Sequence, residues 1–329
     1  AEGGIHLGEY GRVTVGGHDV GAVSHGSFVP NGDAALSGRS RAVEAAIRRR
    51  LVELVRDAPD GLDAVLAGPD DAVTLDDQAR LVAAGRVGVL GRWVAGPSAL
   101  EPKVVLGRLD LLEAGDRERL RVHLDRWRDR YVQALFAPLD RPASAAMTPP
   151  AKGLVYALRT ALGAVDRAEV AELVDALSPP DRAALAQLDV RLGTQTVYVQ
   201  SMLRPEAMRA RGVLWSVARG VSPMVAPPSD GRASIPVDGV PPAALRALGF
   251  APVGGLAVRV DVLEKVSAEV RAMARADRPH PLDRLTSWLG ASREQAMAVA
   301  RALGFQVRAE QDGTVRVRRA RPERARRAR

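Results

Sequence analysis

The side chains of this chain best suited to chemistry are arginines, and they are gathered at one end. From Arg316 to Arg329 eight arginines face one acid, Glu323, so this run carries +7 of the net +8 and leaves residues 1–315 close to neutral. Guanidinium groups at this density match phosphate oxygens. A block of like charge is expected to form a disordered tail, and fully extended it would reach roughly 45 Å at about 3.3 Å per residue. Just before it, Phe305, Val307 and Ala309 alternate with Gln306 and Arg308, and Val315 and Val317 alternate with Arg316 and Arg318. Asp312-Gly313 between them is a strong hairpin signal. Period two then places Arg308, Arg316 and Arg318 on one face and the apolar residues on the other.

The elements that would position this hairpin are also legible. Residues 282–289 predict a short helix, Gly290-Ala291 a turn, and Ser292 with Gln295 a capping box opening a second helix. That helix ends at Gly304, a residue suited to the left-handed conformation at a helix stop. The order helix, turn, helix, hairpin predicts a winged-helix-like unit, in which the second helix enters a groove and the wing touches the backbone beside it. The candidate nucleic-acid-binding residues are Arg293, Gln295 and Arg301 on the helix, Arg308, Arg316 and Arg318 on the wing, and Arg319, Arg321 and Arg324 beyond it. The competing reading is a protein-contact module whose arginines are merely solvated.

No catalytic or metal set emerges. Without cysteine there is no thiol nucleophile and no zinc-thiolate site. Gly85-Arg86-Val87-Gly88-Val89-Leu90-Gly91 and Lys152-Gly153 lack the spacing of a phosphate-binding loop. Asp70, Asp71, Asp76 and Asp77 lack the spacing of a calcium loop. His6, His18, His25, His123 and His280 form no His-Glu-x-x-His pair, and no nucleophile elbow is present. Catalytic and metal residues are therefore expected to be none. No apolar run approaches the roughly 18 residues of a membrane span, the first residues do not read as a secretion signal, and absent cysteine suits the cytoplasm.

Arg-Ala-Leu-Gly-Phe occurs twice, at Arg246–Phe250 and Arg301–Phe305, and each copy leads to a Val-Arg-Val. This predicts a duplicated helix-then-hairpin unit, its leucine packing the last helical turn and its phenylalanine starting a buried strand. Upstream, Val13 and Val15 before Gly16-Gly17, with Val20 and Val23 after, predict a hairpin that recurs more weakly over residues 79–90. Helices are expected over about 40–57, where Val43, Ile47, Leu51, Leu54 and Val55 are spaced helically and Arg48 lies opposite, and over about 116–136. Others are expected over 151–162, 167–177, 180–188, 205–218 and 262–276, with a hairpin over Val190–Val199. The fold class is α+β, mainly helical, with short hairpins between helices. The expected domains are 1–142, a helical middle 143–230, the duplicated unit 231–315 and the tail 316–329.

The run Gly11-Arg12-Val13-Thr14-Val15-Gly16-Gly17-His18-Asp19-Val20-Gly21 is followed in order by Phe136-Ala137-Pro138-Leu139 and Ala151-Lys152-Gly153-Leu154-Val155-Tyr156-Ala157-Leu158. Then come Val190-Arg191-Leu192-Gly193, Val197-Tyr198-Val199, Met202-Leu203-Arg204-Pro205, Leu214-Trp215, Leu245–Phe250 and Val258–Glu264. In that order these stretches resemble the region after the two RecA-like lobes of alphaproteobacterial superfamily 2 DExH-box helicases, relatives of the mitochondrial degradosome RNA helicase. The resemblance implies ATP-driven unwinding, on RNA, by a parent protein of which this chain would be an accessory fragment. The ATP-binding loop, the Asp-Glu-x-His box and the last helicase motif are absent, so ATP and magnesium are expected only on motor lobes outside this chain. Expected partners are RNA or DNA, those motor lobes and a docking protein, with no membrane.

Overall fold

A computed structural model describes residues 4–8, 12–24, 27–31, 47, 49–54, 56, 61–69, 72–83, 88–107, 109, 111–141, 147–237, 239–276 and 278–320. The fold is mixed α+β, and among the described residues no helix is long and apolar enough to cross a membrane. Two compact units divide the chain, one of Ala1–Gln133 with Val217–Met224 and one of Ala134–Ser216 with Val225–Arg329. The middle helices and the duplicated segment thus fall in one unit.

The first unit holds two four-stranded antiparallel meanders. β1 (Ile5–Leu7), β2 (Arg12–Val15), β3 (His18–Ser24) and β4 (Ser27–Pro30) pair in sequence order, as do β5 (Val73–Leu75), β6 (Arg80–Ala83), β7 (Val89–Val94) and β8 (Lys103–Leu106), with helix α1 (Leu62–Ala67) between them. The two hairpins expected in the sequence are the centres of these sheets. Each sheet carries the same irregularity: the β2–β3 register shifts after Val13, opposite Gly21, and the β6–β7 register shifts after Leu81, opposite Gly91. A Cβ on Gly21 would collide with the carbonyl oxygen of Val29, and one on Gly91 would lie 2.6 Å from that of Val105. Glycine is required where a bulge brings the next strand this close.

Residues 49–54 are helical, and Ile47 and Leu51 pack with Val13, Val20, Val23 and Phe28. Val43, Arg48 and Val55 of the helix expected there lie outside the described residues, as do Gly85, Arg86, Val87, His25, Asp70 and Asp71. Asp76 caps the β5–β6 turn, its carboxylate accepting the N–H groups of Gln78 and Arg80 at 2.9 and 2.8 Å. Helix α2 (Ala114–Phe136) buries Leu120, Leu124 and Trp127 as its spacing predicts. Trp93, Trp127 and Tyr131 meet with ring centroids 4.9–6.1 Å apart. Arg121 and Arg128, off that stripe, pair with Glu118, Asp125 and Asp129.

In the second unit α3 (Pro149–Thr160) is followed by strand β9 (Ala164–Asp166), helices α4 (Ala171–Asp175) and α5 (Pro179–Gln187), and the hairpin β10 (Val190–Leu192) and β11 (Thr196–Val199). The helix expected over 167–177 shrinks to α4. Asp166, just before it, ends β9 and pairs with Thr196. Three residues are too few to show a strand period, which is why β9 was not legible. Ser178 caps α5 in a box with Asp181. Helix α6 (Pro205–Arg219) follows.

The duplicated segment contains β12 (Ser234–Pro236), α7 (Pro242–Ala247), β13 (Phe250–Val253), β14 (Leu256–Arg259), α8 (Val260–Ala276), α9 (Asp283–Leu289), α10 (Arg293–Ala302), β15 (Phe305–Ala309) and β16 (Val315–Arg319). The duplication extends to the hydrogen bonds. Gly249 and Gly304 have φ of +82° and +89°, and each N–H donates to the carbonyl of the repeat's arginine at 2.9 Å. Each glycine carbonyl then accepts from the end of its hairpin, Val260 at 3.0 Å and Ala320 at 3.1 Å. In the first copy β12 adds a third strand to β14; in the second, His280 exchanges both backbone hydrogen bonds with Val315 of β16.

Two polar links, one half-buried and one fully buried, tie this segment to the elements before it. The carboxylate of Glu264 on α8 accepts the N–H groups of Thr194, Gln195 and Thr196 and the Thr194 hydroxyl. The guanidinium of Arg211, fully buried, donates to the carbonyls of Met202 and Arg246 at 3.0 and 3.2 Å. Desolvation pulls its pKa down to about 9.

Candidate nucleic-acid interface

The last 60 or so described residues form helix, bridging residue, helix, turn, helix and hairpin in the order α8, His280, α9, α10, β15, β16. Gly290, with φ +59°, turns the chain from α9 to α10. The capping box at α10 is present: the Ser292 hydroxyl accepts from Gln295 N–H, and Gln295 Oε1 accepts from Ser292 N–H at 2.9 Å. Ala296, Val299 and Ala300 face the core with Phe305, Val307, Val315 and Val317.

The side chains at the start of α10 are folded back rather than extended. Arg293 donates to the carbonyls of Gly313 and Thr314 in the β15–β16 turn, at 2.5 and 3.1 Å. Gln295 spends its carbonyl on the cap. Glu294, between them, accepts from the Ser292 hydroxyl at 2.9 Å, and hydrogen bonds from its own N–H and from Ser292 hold its carboxyl below the usual range. Arg301 donates to Val307 O at 3.3 Å. These three candidate residues therefore brace the helix against its cap and the hairpin.

The wing differs. In the β15–β16 register Arg308 stands directly opposite Arg316, and Gln306 opposite Arg318, so one face of the hairpin is polar while Val307 and Val317 pair on the other. Cross-strand partners on one face have Cβ atoms about 4.5–5.5 Å apart, and like charges placed so are destabilising. Arg316 is offset by Glu310, 3.1 Å away. Arg308 is exposed and no hydrogen bond or ion pair holds its guanidinium among the described residues. Arg318 is exposed at the open end of the strand. At the turn, Asp312 accepts from Thr314 hydroxyl and N–H, at 2.6 and 2.9 Å, and these bonds hold its carboxyl below the usual range.

The boundary of the tail also moves. Arg316, Arg318 and Arg319 belong to β16, and Arg319 pairs with Phe305, so the strand continues four residues past Val315. Arg321 and Arg324 lie outside the described residues. The register, which sets Arg308 against Arg316, was implicit in the alternation; the engagement of Arg293 by the carbonyls of the β15–β16 turn was not.

A separate cleft of about 440 Å³ lies between β13, the start of β11 and the end of α10, lined by Asp166, Arg167, Thr196, Arg246, Val253 and Leu303 among others. Its charges are paired within the protein: Arg246 with Asp166, and Arg167 with Asp175, each at 2.6 Å. Compared with known proteins, the chain matches no family, no curated protein and no solved structure.

Proposed function

We propose that this chain is the nucleic-acid-binding accessory region of an ATP-dependent helicase acting on RNA, with ATP and magnesium held by motor lobes outside it. On this reading α8 to β16 is a winged-helix unit and its wing grips phosphate. The observation that carries it is the Arg308–Arg316 pair, with Arg318 beside it, on the solvent face of β15–β16. Like charges held face to face are a cost in the free protein and become favourable once a phosphate lies between them. The resemblance of the ordered motifs to the helicase region adds the motor and the RNA.

The test is binding of the whole chain to a labelled RNA single strand across a range of salt. Each phosphate neutralised contributes a log–log slope of about −0.7. Changing Arg308 and Arg316 to Ala should flatten the slope by roughly 1.4 and leave the fold intact. Equal affinity and slope in variant and wild type would remove the wing from the interface.

A second reading, a scaffold that docks a protein through the same unit, draws on α10. Its first residues are engaged with the cap and the wing, so the helix offers no free set of side chains for reading bases. Here Arg293, Arg301 and Arg308 changed to Ala would leave RNA affinity unchanged and weaken capture of the protein partner.

A further inference from the structure

Tyr156 is 72% exposed, while the other described aromatic side chains are buried or half-buried. It sits on α3, whose opposite face is locked into the core by Ala151, Leu154 and Leu158, all fully buried. A Cβ on Gly153 would lie 3.3 Å from the Leu173 side chain, so α3 is also pressed closely against its neighbour. One turn before Tyr156, Lys152 is exposed, and among the described residues no hydrogen bond or ion pair engages its ammonium. Residues four apart share a helix face, with Cβ atoms about 5–6 Å apart. A rigid helix thus presents one phenol ring and one cation side by side to solvent.

We propose that Tyr156 and Lys152 form a stacking platform for one unpaired nucleotide, the ring taking the base and the ammonium its phosphate. This rests on the nucleic-acid reading above and adds a second contact, on a different element from the wing. An aromatic face accepts any base, so the contact selects unpaired strands without selecting sequence. In a duplex the bases are stacked on one another and the ring has no face to meet.

The experiment uses the full chain and a short oligouridylate carrying iodouridine, with the matching RNA duplex as comparison. Irradiation should crosslink the single strand to the peptide containing Tyr156. Tyr156→Ala should weaken single-strand binding roughly 5- to 150-fold, the range expected for one stacked base, leave the salt slope and duplex binding unchanged, and abolish the crosslink. Tyr156→Phe should retain affinity, because stacking needs the ring and not the hydroxyl. Lys152→Gln should flatten the slope by about 0.7. Arg308→Ala with Arg316→Ala should weaken binding but preserve the crosslink. If wild type binds and Tyr156→Ala binds equally well, the platform is refuted and the wing reading stands; if wild type does not bind, both fall.

Discussion

Glu264 on α8 accepts the backbone N–H of Gln195 at 2.7 Å, across 69 residues of sequence. With Thr194 and Thr196 on the same carboxylate, it is the polar pin between the β10–β11 turn and the duplicated segment. Charge-assisted hydrogen bonds of this kind are worth more than neutral ones. Glu264→Ala leaves three N–H groups without their acceptor, of which only that of Thr196 belongs to a buried residue, and should cost about 1–3 kcal/mol, the range for one stranded buried donor. Glu264→Gln, which keeps one accepting oxygen, should cost less. Urea midpoints measure both, and equal stability of the alanine variant and wild type would contradict the role.

Gly254 and Gly255 form one turn but differ in their surroundings. Both have positive φ, +58° and +85°, yet a Cβ on Gly254 would lie 2.6 Å from the backbone nitrogen of Val299 on α10, while the space beside Gly255 is open. Gly255→Ala should therefore cost only the left-handed backbone penalty, about 1–2 kcal/mol. Gly254→Ala must also push the first hairpin off α10, adding roughly 1–3 kcal/mol for overpacking. Thermal unfolding of the two variants should rank them in that order.

Asp181 gives a pH signature. Its carboxylate accepts from the Ser178 hydroxyl first, and also from Thr148 and from backbone N–H groups of both residues, and its pKa is pulled down to about 2. The native state then binds fewer protons than the unfolded state between pH about 4 and 2, so stability rises with pH across that window. The contribution is complete above the unfolded pKa and disappears as pH falls through the folded one. Urea midpoints from pH 5 downward, in units of about one, should drop for wild type, and Asp181→Asn should lose that part of the slope.

The end of β16 sets where the basic run can be cut. Val315 and Val317 are buried, and Ala320 N–H closes on Gly304. A chain ending at Ala320 should keep the wild-type urea midpoint while binding RNA with a shallower salt slope. One ending at Glu310 loses both valines, at about 1.5–3 kcal/mol each, and should unfold the unit. A midpoint shift on cutting after Ala320 would show that the later residues stabilise the fold.

What was legible in the sequence was local. The Ser292–Gln295 box, the positive φ of Gly304, the Asp312–Thr314 turn and the alternation of β15 and β16 are each decided within a few residues, where hydrogen-bond reach and strand period leave little choice. The repeated Arg-Ala-Leu-Gly-Phe marked two helix stops and strand starts for the same reason. The N-terminal hairpins were legible too, but not that each is the middle of a four-stranded sheet, because edge strands of three or four residues carry no readable period.

Tertiary structure decided the rest. Arg293 had the type and position of a groove-reading residue; the β15–β16 turn, twenty residues on, supplies two carbonyls that take its guanidinium. The His280–Val315 bridge, the placement of Gly254 against α10 and the Glu264 pin all join residues 35 or more apart. Sequence pattern reports which face of an element is apolar, because that is set by its own periodicity. Which carbonyl or carboxylate lies opposite a given arginine depends on how separate elements pack, and only the folded chain brings those partners within hydrogen-bond distance.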